Sequence, residues 1–219
     1  MQLDKRFPDK IKAAIFDFDG ILVDTEEVGL KTCETILKKY GASLTPKEKL
    51  DYFQIPDLLF YGSVLKSRSL HVDAKDVFKE HKELYHRLIQ RVDTTLQGVV
   101  EILDYFKSQK VSCSTCSGST RAIVETVLKN VGIQSSFDFI IAREDYTDDK
   151  PSPESYIRCL EKHGLPASSC IAFEDTRRGV ESAKAAGIFT VGVLVGNHGS
   201  DPLQKADFQI YSLRDAFVE

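Results

Sequence analysis

The fold of this chain is decided by residues 13–25, which read AAIFDFDGILVDT. The first four, AAIF, are a short apolar run of the kind that forms a buried β-strand. Asp17 and Asp19 follow directly, and Gly20 beside them permits a turn. In open α/β sheets, ligands bind beyond the carboxyl ends of the strands. The stretch therefore predicts a strand that carries two carboxylates to a binding site.

Two clustered carboxylates repel each other, so their charge has to be offset. A hard cation such as Mg²⁺ does this through oxygen ligands. The alternative for this stretch taken alone is an acidic surface loop. Segments elsewhere in the chain favour the cation site.

Strand and helix patterns alternate over most of the length. Apolar, strand-like runs lie at 111–116, 139–142, 170–173 and 189–195. Helical patterns separate them, at 98–109, from the possible cap Ser119 to about Val131, from Pro153 to Gly164, and up to Ala186. This alternation predicts an α/β fold, a parallel sheet with helices on both faces.

One interval breaks the alternation. Between about Thr25 and Thr94 the sequence has helical patterns and no convincing strand. Thr45-Pro46-Lys47-Glu48 is typical of a capping box with proline in the first turn, and Asp73 can cap a long helix towards Arg91. We predict a helical domain of residues 24–94 inserted into a core of residues 1–23 and 95–219.

Three further predicted strand ends carry complementary chemistry. Ser117 offers a hydroxyl, Lys150 offers a cation beside a proline turn, and Glu174 and Asp175 offer further oxygen ligands. Each alone could be an ordinary loop or helix-start residue. Because all of them fall in order at strand ends, we interpret them as parts of one site.

The whole arrangement resembles the haloacid dehalogenase superfamily, in its β-phosphoglucomutase-like group of small-molecule phosphatases and mutases. The resemblance covers about Ile11–Asn197. It implies a Rossmann-like core with a small helical cap inserted after the first strand. It also implies that Asp17 is the nucleophile, that Asp19 is the general acid and base, and that Ser117 and Lys150 bind the transferring phosphoryl group.

The same resemblance implies Mg²⁺ as the cofactor. Its ligands would come from Asp17, Glu174 and Asp175 and from the backbone carbonyl of Asp19. The expected activity is hydrolysis of a small organic phosphate, such as a phosphorylated sugar or related metabolite, through an aspartyl-phosphate.

Two departures from the family pattern bear on the activity. Members of the group often carry a histidine where this chain has Gly29, and the mutases carry a Gly-x-Ser-Arg-like turn that residues 53–57 lack. Both favour a phosphatase over the alternative, a sugar-phosphate mutase. A phospho-accepting signalling domain is a further alternative, but its phosphorylated Asp ends a middle strand and it has no inserted helical domain.

The net charge of the chain bears on which molecules it can bind. Lys plus Arg total 29 and Asp plus Glu total 33, a net charge of −4. The chain therefore lacks the overall positive field that gathers nucleic acid or an anionic membrane surface. We expect neither of these partners, and a monomer that binds a small phosphorylated metabolite.

The cysteines and the amino terminus suggest a compartment. Five cysteines and a polar start without an apolar signal stretch favour reduced thiols in a cytoplasmic protein. Cys113 and Cys116 have C-x-x-C spacing, but residues three apart on a strand point to opposite faces. No second pair completes a zinc site. We interpret both as core residues.

Overall fold

The computed structural model describes residues 2–52, 55, 57–92, 95–194 and 203–218. The chain divides into two compact units, one of Met1–Asp24 with Asp93–Glu219 and the other of Thr25–Val92. The first unit carries the sheet, and the second is helical. None of the described helices has the length and hydropathy that crossing a membrane requires.

A parallel sheet forms the first unit. A short antiparallel pair, β1 (Gln2–Leu3) with β8 (Phe217–Val218), lies outside it. The six described strands of the main sheet are, in order across it, β4 (Phe139–Ile141), β3 (Ser112–Cys116), β2 (Ala13–Phe16), β5 (Cys170–Glu174), β6 (Phe189–Val193) and β7 (Phe208–Ile210). All neighbouring strands of this sheet run parallel. The predicted Rossmann-like α/β fold is confirmed.

The central strand β2 sets the position of the first acidic loop. All four of its side chains are buried, because parallel sheets have helices on both faces and their strands are almost wholly apolar. The chain continues from β2 to β3 on one side and reaches β5 on the other. Such a change of direction opens a crevice at the carboxyl end of the strand, where ligands bind in this architecture.

Of the α-helices described between β2 and β3, the first four form the second unit: α1 (Thr25–Lys39), α2 (Pro46–Tyr52), α3 (Asp57–Ser67) and α4 (Ala74–Ile89). The capping box is confirmed, since Glu48 accepts from the Thr45 amide at 2.8 Å and the Glu48 amide donates to the Thr45 hydroxyl at 3.2 Å. Asp73 caps α4 as predicted. A core of this unit's own packs around the buried Tyr61.

The first unit contains the remaining described helices: α5 (Val99–Ser108), α6 (Arg121–Asn130), α7 (Glu154–His163) and α8 (Arg177–Ala185). The prediction that Ser119 caps α6 is wrong, because Thr120 occupies the cap position and the Ser119 side chain has another partner, described below. The predicted strand at 170–173 is one residue longer, so that Glu174 ends β5 instead of following it.

Strand β3 is unusual because it reads SCSTC in the middle of the sheet. Two of its polar side chains find a partner on α7, where His163 hydrogen-bonds to Ser112 at 3.1 Å and to Ser114 at 2.9 Å. Cys113 and Cys116 are both buried. Among the described residues, the group of side chains that could hold a metal contains no cysteine.

Candidate active site

The first acidic loop starts as a continuation of the sheet. The amide of Asp17 donates to the carbonyl of Phe173 at 3.0 Å, which extends the pairing of β2 with β5 by one residue. The chain then turns at Gly20, whose φ is +76° and whose amide donates to the carbonyl of Val23 at 2.9 Å. A positive φ favours glycine. The turn keeps Asp17 and Asp19 together at the end of β2.

Lys150 connects two of the predicted acids. Its ammonium group lies 2.5 Å from Oδ1 of Asp17 and 2.6 Å from Oε1 of Glu174, and it also donates to the carbonyl of Cys116 at 3.3 Å. The side chain of Glu174 is fully buried, and those of Lys150 and Asp17 are only 15% and 10% exposed. The ends of three strands thus meet at one ammonium.

Burial and the neighbouring charges shift the pKa values of Asp17 and Lys150 in opposite directions. Burial holds the pKa of Asp17 well above its usual value, although the positive charge of Lys150 opposes that rise. Burial also disfavours the Lys150 ammonium, but Asp17 and Glu174 raise its pKa well above the usual value. Lys150 is therefore a permanent cation, and it favours the ionised form of the carboxylate beside it.

Asp19 has a different environment from Asp17. Its Oδ2 accepts a hydrogen bond from the Ser119 hydroxyl at 3.0 Å, and the Ser117 hydroxyl lies 3.4 Å from the same oxygen. Ser117 itself is buried, and its hydroxyl accepts from the Ser119 amide at 2.9 Å. Asp19 and Ser117 are brought together as predicted, while the contribution of Ser119 was missed. A serine two residues after Ser117 was the available signal.

The acids that could hold a metal form a compact set. Oxygen atoms of Asp17, Glu174 and Asp175 all lie within 4.8 Å of one another. The side chain of Asp19 is not in this set, so its predicted part in the metal site rests on its backbone carbonyl. Carboxylate oxygens suit a hard divalent cation, and neither thiol nor imidazole belongs to the set. The donor atoms fit Mg²⁺.

Two glycines allow these carboxylates to approach the backbone. A Cβ placed on Gly20 would lie 1.9 Å from Oδ2 of Asp175, and one on Gly179 would lie 2.0 Å from Oε2 of Glu174. Atoms that are not bonded to each other cannot approach so closely, so a side chain at either glycine would displace the acid. Gly179 was missed by the sequence analysis, since its need for a small residue depends on a contact across the fold.

Two more residues contact the site, of which Tyr156 was missed from the sequence. Tyr156 on α7 is fully buried, and its hydroxyl donates to Oε1 of Glu174 at 2.7 Å. Burial and the negative charge of Glu174 raise the pKa of Tyr156 well above its usual value, so the phenol remains a donor. Arg178 donates to the backbone carbonyl of Lys150. The side chain of Arg178 is itself exposed.

Comparison with known proteins finds phosphatases and a mutase among the similar chains. A phosphatase of phosphorylated carbohydrates from Thermotoga maritima is 28% identical over 182 residues, which is 81% of this chain and 82% of that protein. The fructose-1-phosphate phosphatase of Escherichia coli is 25% identical over 179 residues, 82% of this chain and 94% of that protein. A β-phosphoglucomutase structure from Clostridium difficile matches with a TM-score of 0.72 at 25% identity, over 93% of this chain and 92% of that chain.

The family profile that matches is that of the haloacid dehalogenase-like hydrolases. It covers residues 14–193, from the second residue of β2 to the last residue of β6. The match includes both acidic loops, Ser117 and Lys150. The predicted superfamily and the predicted class of enzyme, a hydrolase, are confirmed: this chain belongs to the haloacid dehalogenase-like hydrolase family.

Proposed function

We propose that this chain hydrolyses small organic phosphates, with Asp17 carrying the phosphoryl group between the substrate and water. The observation that best supports this is the 2.5 Å contact between the Asp17 carboxylate and the Lys150 ammonium at the end of the central strand. A carboxylate next to a buried cation can act as a nucleophile towards a phosphate that the same cation attracts.

The reaction proceeds in two displacements. An oxygen of Asp17 attacks phosphorus as the bond to the ester oxygen breaks, which forms an aspartyl-phosphate. Protonated Asp19 gives its proton to the departing alkoxide. The Asp19 carboxylate then takes a proton from the water that cleaves the aspartyl-phosphate. Inorganic phosphate leaves, Asp17 is again a carboxylate, and Asp19 is again protonated. Ser117 and Lys150 hold the phosphoryl oxygens.

Mg²⁺ is the proposed cofactor. The carboxylates of Asp17, Glu174 and Asp175, which lie within 4.8 Å of one another, would hold it together with the backbone carbonyl of Asp19. When bound, Mg²⁺ supplies positive charge that allows an anionic nucleophile to approach an anionic phosphate.

The proposed substrate class is that of phosphorylated sugars and related metabolites. The support comes from the relatives, two of which are named for phosphatase activity on a phosphorylated carbohydrate and on fructose 1-phosphate. We assign the helical unit, residues 24–94 in the sequence prediction, the role of a substrate-selecting cap. Specificity in this group resides largely in such caps, so the core residues alone do not name the leaving group.

One contact in the helical unit favours hydrolysis over isomerisation. At Gly29, where members of the group often carry a histidine, an added Cβ would lie 2.9 Å from the hydroxyl oxygen of Tyr52. Tyr52 therefore fills the space that a larger side chain would need. Of the other departure, at 53–57, residues Phe53, Gln54 and Pro56 lie outside the described residues.

The proposal is tested by phosphate release from a panel of sugar and polyol phosphates with Mg²⁺, for the wild type and for Asp17→Asn. The variant keeps nearly the same shape and removes the nucleophile, so turnover should fall to background while the far-UV circular dichroism stays unchanged. Asp104→Asn, at an exposed position on α5, is the matched control and should retain full activity. Mass spectrometry of quenched wild type should find the phosphoryl group on the peptide that contains Asp17.

Other results would contradict the proposal. Near-normal turnover by folded Asp17→Asn would exclude the nucleophile, and full activity in excess chelator would exclude the metal. Conversion of hexose 1-phosphate to 6-phosphate without phosphate release would make the enzyme a mutase. A long-lived phospho-Asp17 without turnover would indicate a signalling domain.

A further inference from the structure

The carboxylate of Glu174 is held by more groups than a simple ion pair requires. Its Oε1 accepts from the Lys150 ammonium at 2.6 Å and from the Tyr156 hydroxyl at 2.7 Å. Its Oε2 has one long contact, 3.5 Å from the hydroxyl of Thr176. The two oxygens are therefore unequal: Oε1 has two strong donors, and Oε2 remains available to a ligand.

The Tyr156 ring lies close to the Lys150 ammonium, and its hydroxyl contacts the Glu174 carboxylate. It lies on α7, which begins at Glu154, a few residues after Lys150, and it has no solvent exposure. The Lys150 ammonium lies 5.2 Å from the centre of its ring. A buried phenol hydroxyl needs a partner, and Glu174 provides it. The Tyr156 ring therefore packs against the Lys150 ammonium while its hydroxyl donates to the Glu174 carboxylate.

The backbone of α8 also lies close to this carboxylate. A Cβ at Gly179 would lie 2.0 to 2.1 Å from both carboxylate oxygens of Glu174, so the main chain of α8 lies directly against the group. The close approach of this backbone, together with the hydrogen bonds from Lys150 and Tyr156, restricts the rotation of the carboxylate.

We propose that Tyr156 is a positioning residue for the cation site: its hydroxyl keeps Oε1 of Glu174 on the Lys150 side and so leaves Oε2 directed to a divalent cation held with Asp17 and Asp175. This inference rests on the proposed function, because it takes the three-acid cluster as a cation site. Hydrogen-bond partners behind metal ligands commonly change metal affinity by about ten- to a hundredfold when they are removed.

The test is Tyr156→Phe, which removes one oxygen and keeps the ring. Oε1 retains its bond to Lys150, so the variant should fold. We expect a Mg²⁺ dissociation constant at least about tenfold above that of the wild type in calorimetric titration of the whole protein. Phosphatase activity at low Mg²⁺ should fall in parallel and recover at high Mg²⁺, with little change in KM for the organic phosphate.

Tyr61→Phe in the helical unit is the matched control. Tyr61 is also fully buried, and its hydroxyl also has a close partner, 2.7 Å from Nδ1 of His81. Removing that oxygen should lower thermal stability by a comparable amount and leave the Mg²⁺ dissociation constant unchanged. A purely structural Tyr156 would behave like this control.

The outcomes separate the two proposals. If the wild type binds Mg²⁺ and releases phosphate while Tyr156→Phe binds Mg²⁺ within twofold of the wild type, the positioning role is wrong and the proposed function stands. If both tyrosine variants weaken Mg²⁺ binding equally, the effect is one of global stability and the positioning role is again wrong. A wild type that neither binds Mg²⁺ nor releases phosphate overturns both.

Discussion

Each compact unit buries a cluster of polar side chains in close contact, and the two clusters differ in charge. In the sheet unit the cluster is charged, since Lys150 lies 2.5 Å from Asp17 and 2.6 Å from Glu174. In the helical unit the buried pair is neutral, since Tyr61 and His81 are 2.7 Å apart and burial lowers the pKa of His81 to about 4.

This difference in charge distinguishes the neutral pair, whose role is structural, from the charged cluster of the proposed active site. Tyr61 and His81 satisfy each other, and their burial needs nothing from outside. The carboxylates of Asp17 and Glu174 share a single ammonium, and Asp175 adds further negative charge within 4.8 Å. Uncompensated buried charge is costly. The proposed divalent cation would offset this excess of negative charge.

The largest expected effect comes from removing a charge that has a chemical task. Asp19→Ala should lower turnover of alkyl phosphates by about a hundred- to ten-thousandfold, because it removes the proposed general acid. The loss should be smaller on p-nitrophenyl phosphate, whose leaving group needs little protonation. Steady-state rates on the two substrates, with Mg²⁺ at saturation, make the comparison.

A matching serine variant sharpens that result. Ser119→Ala removes the 3.0 Å hydrogen bond to Asp19 and keeps the acid, so its loss on alkyl phosphates should be far smaller. Equal losses by Asp19→Ala on both substrates would refute the acid role.

The next largest effect concerns stability. Lys150→Met removes the only cation recorded as bonded to Asp17 and Glu174 in the described structure. Two carboxylates then stay buried without this cation, and losing one member of a buried ion pair costs about 3 to 5 kcal/mol in free energy of unfolding. Denaturant unfolding without divalent cations measures the loss. Added Mg²⁺ should reduce it, since a cation near the same acids restores positive charge.

The helical unit supplies the matched control for the lysine. Lys39 also pairs with a carboxylate at 2.6 Å, that of Glu80, but its side chain is 61% exposed. Lys39→Met should therefore have a much smaller effect, because water screens exposed pairs. Equal losses for Lys150→Met and Lys39→Met would remove the distinction between the units.

The smallest expected effect is the change in stability of the helical unit when acid protonates His81, the partner of Tyr61. An unfolded histidine titrates near 6.5 and the folded His81 near 4, so between these values the unfolded state binds the extra proton. Stability of the helical unit therefore decreases as the pH falls through this window, by about 3 kcal/mol in total. His81→Gln should lose less over the same range. Hydrogen exchange of the amides in α4 (Ala74–Ile89), compared between the two proteins, checks it.

Local sequence was enough to place most of the site. Asp17 and Asp19 directly follow a strand, Ser117 follows another, and Lys150 precedes a helix, so their positions depend on short-range patterns of hydrophobicity and turn residues. Because all strands of the main sheet run parallel, each carboxyl end reaches the same edge. That rule brings Asp17, Asp19 and Ser117 together, while Lys150 reaches them from the longer connection between β4 and α7. The capping box at Thr45 was equally local, and it formed as predicted.

Other features depended on contacts between distant segments, and only the tertiary structure decided them. Ser119 has the sequence of a helix cap, but Asp19, a hundred residues away, accepts its hydroxyl hydrogen bond. No sequence motif around Tyr156 or Gly179 indicates a function. Tyr156 donates to Glu174, 18 residues further along the chain, and the missing side chain of Gly179 leaves space for the same carboxylate. Packing sets such distances, and no pattern along the chain encodes them.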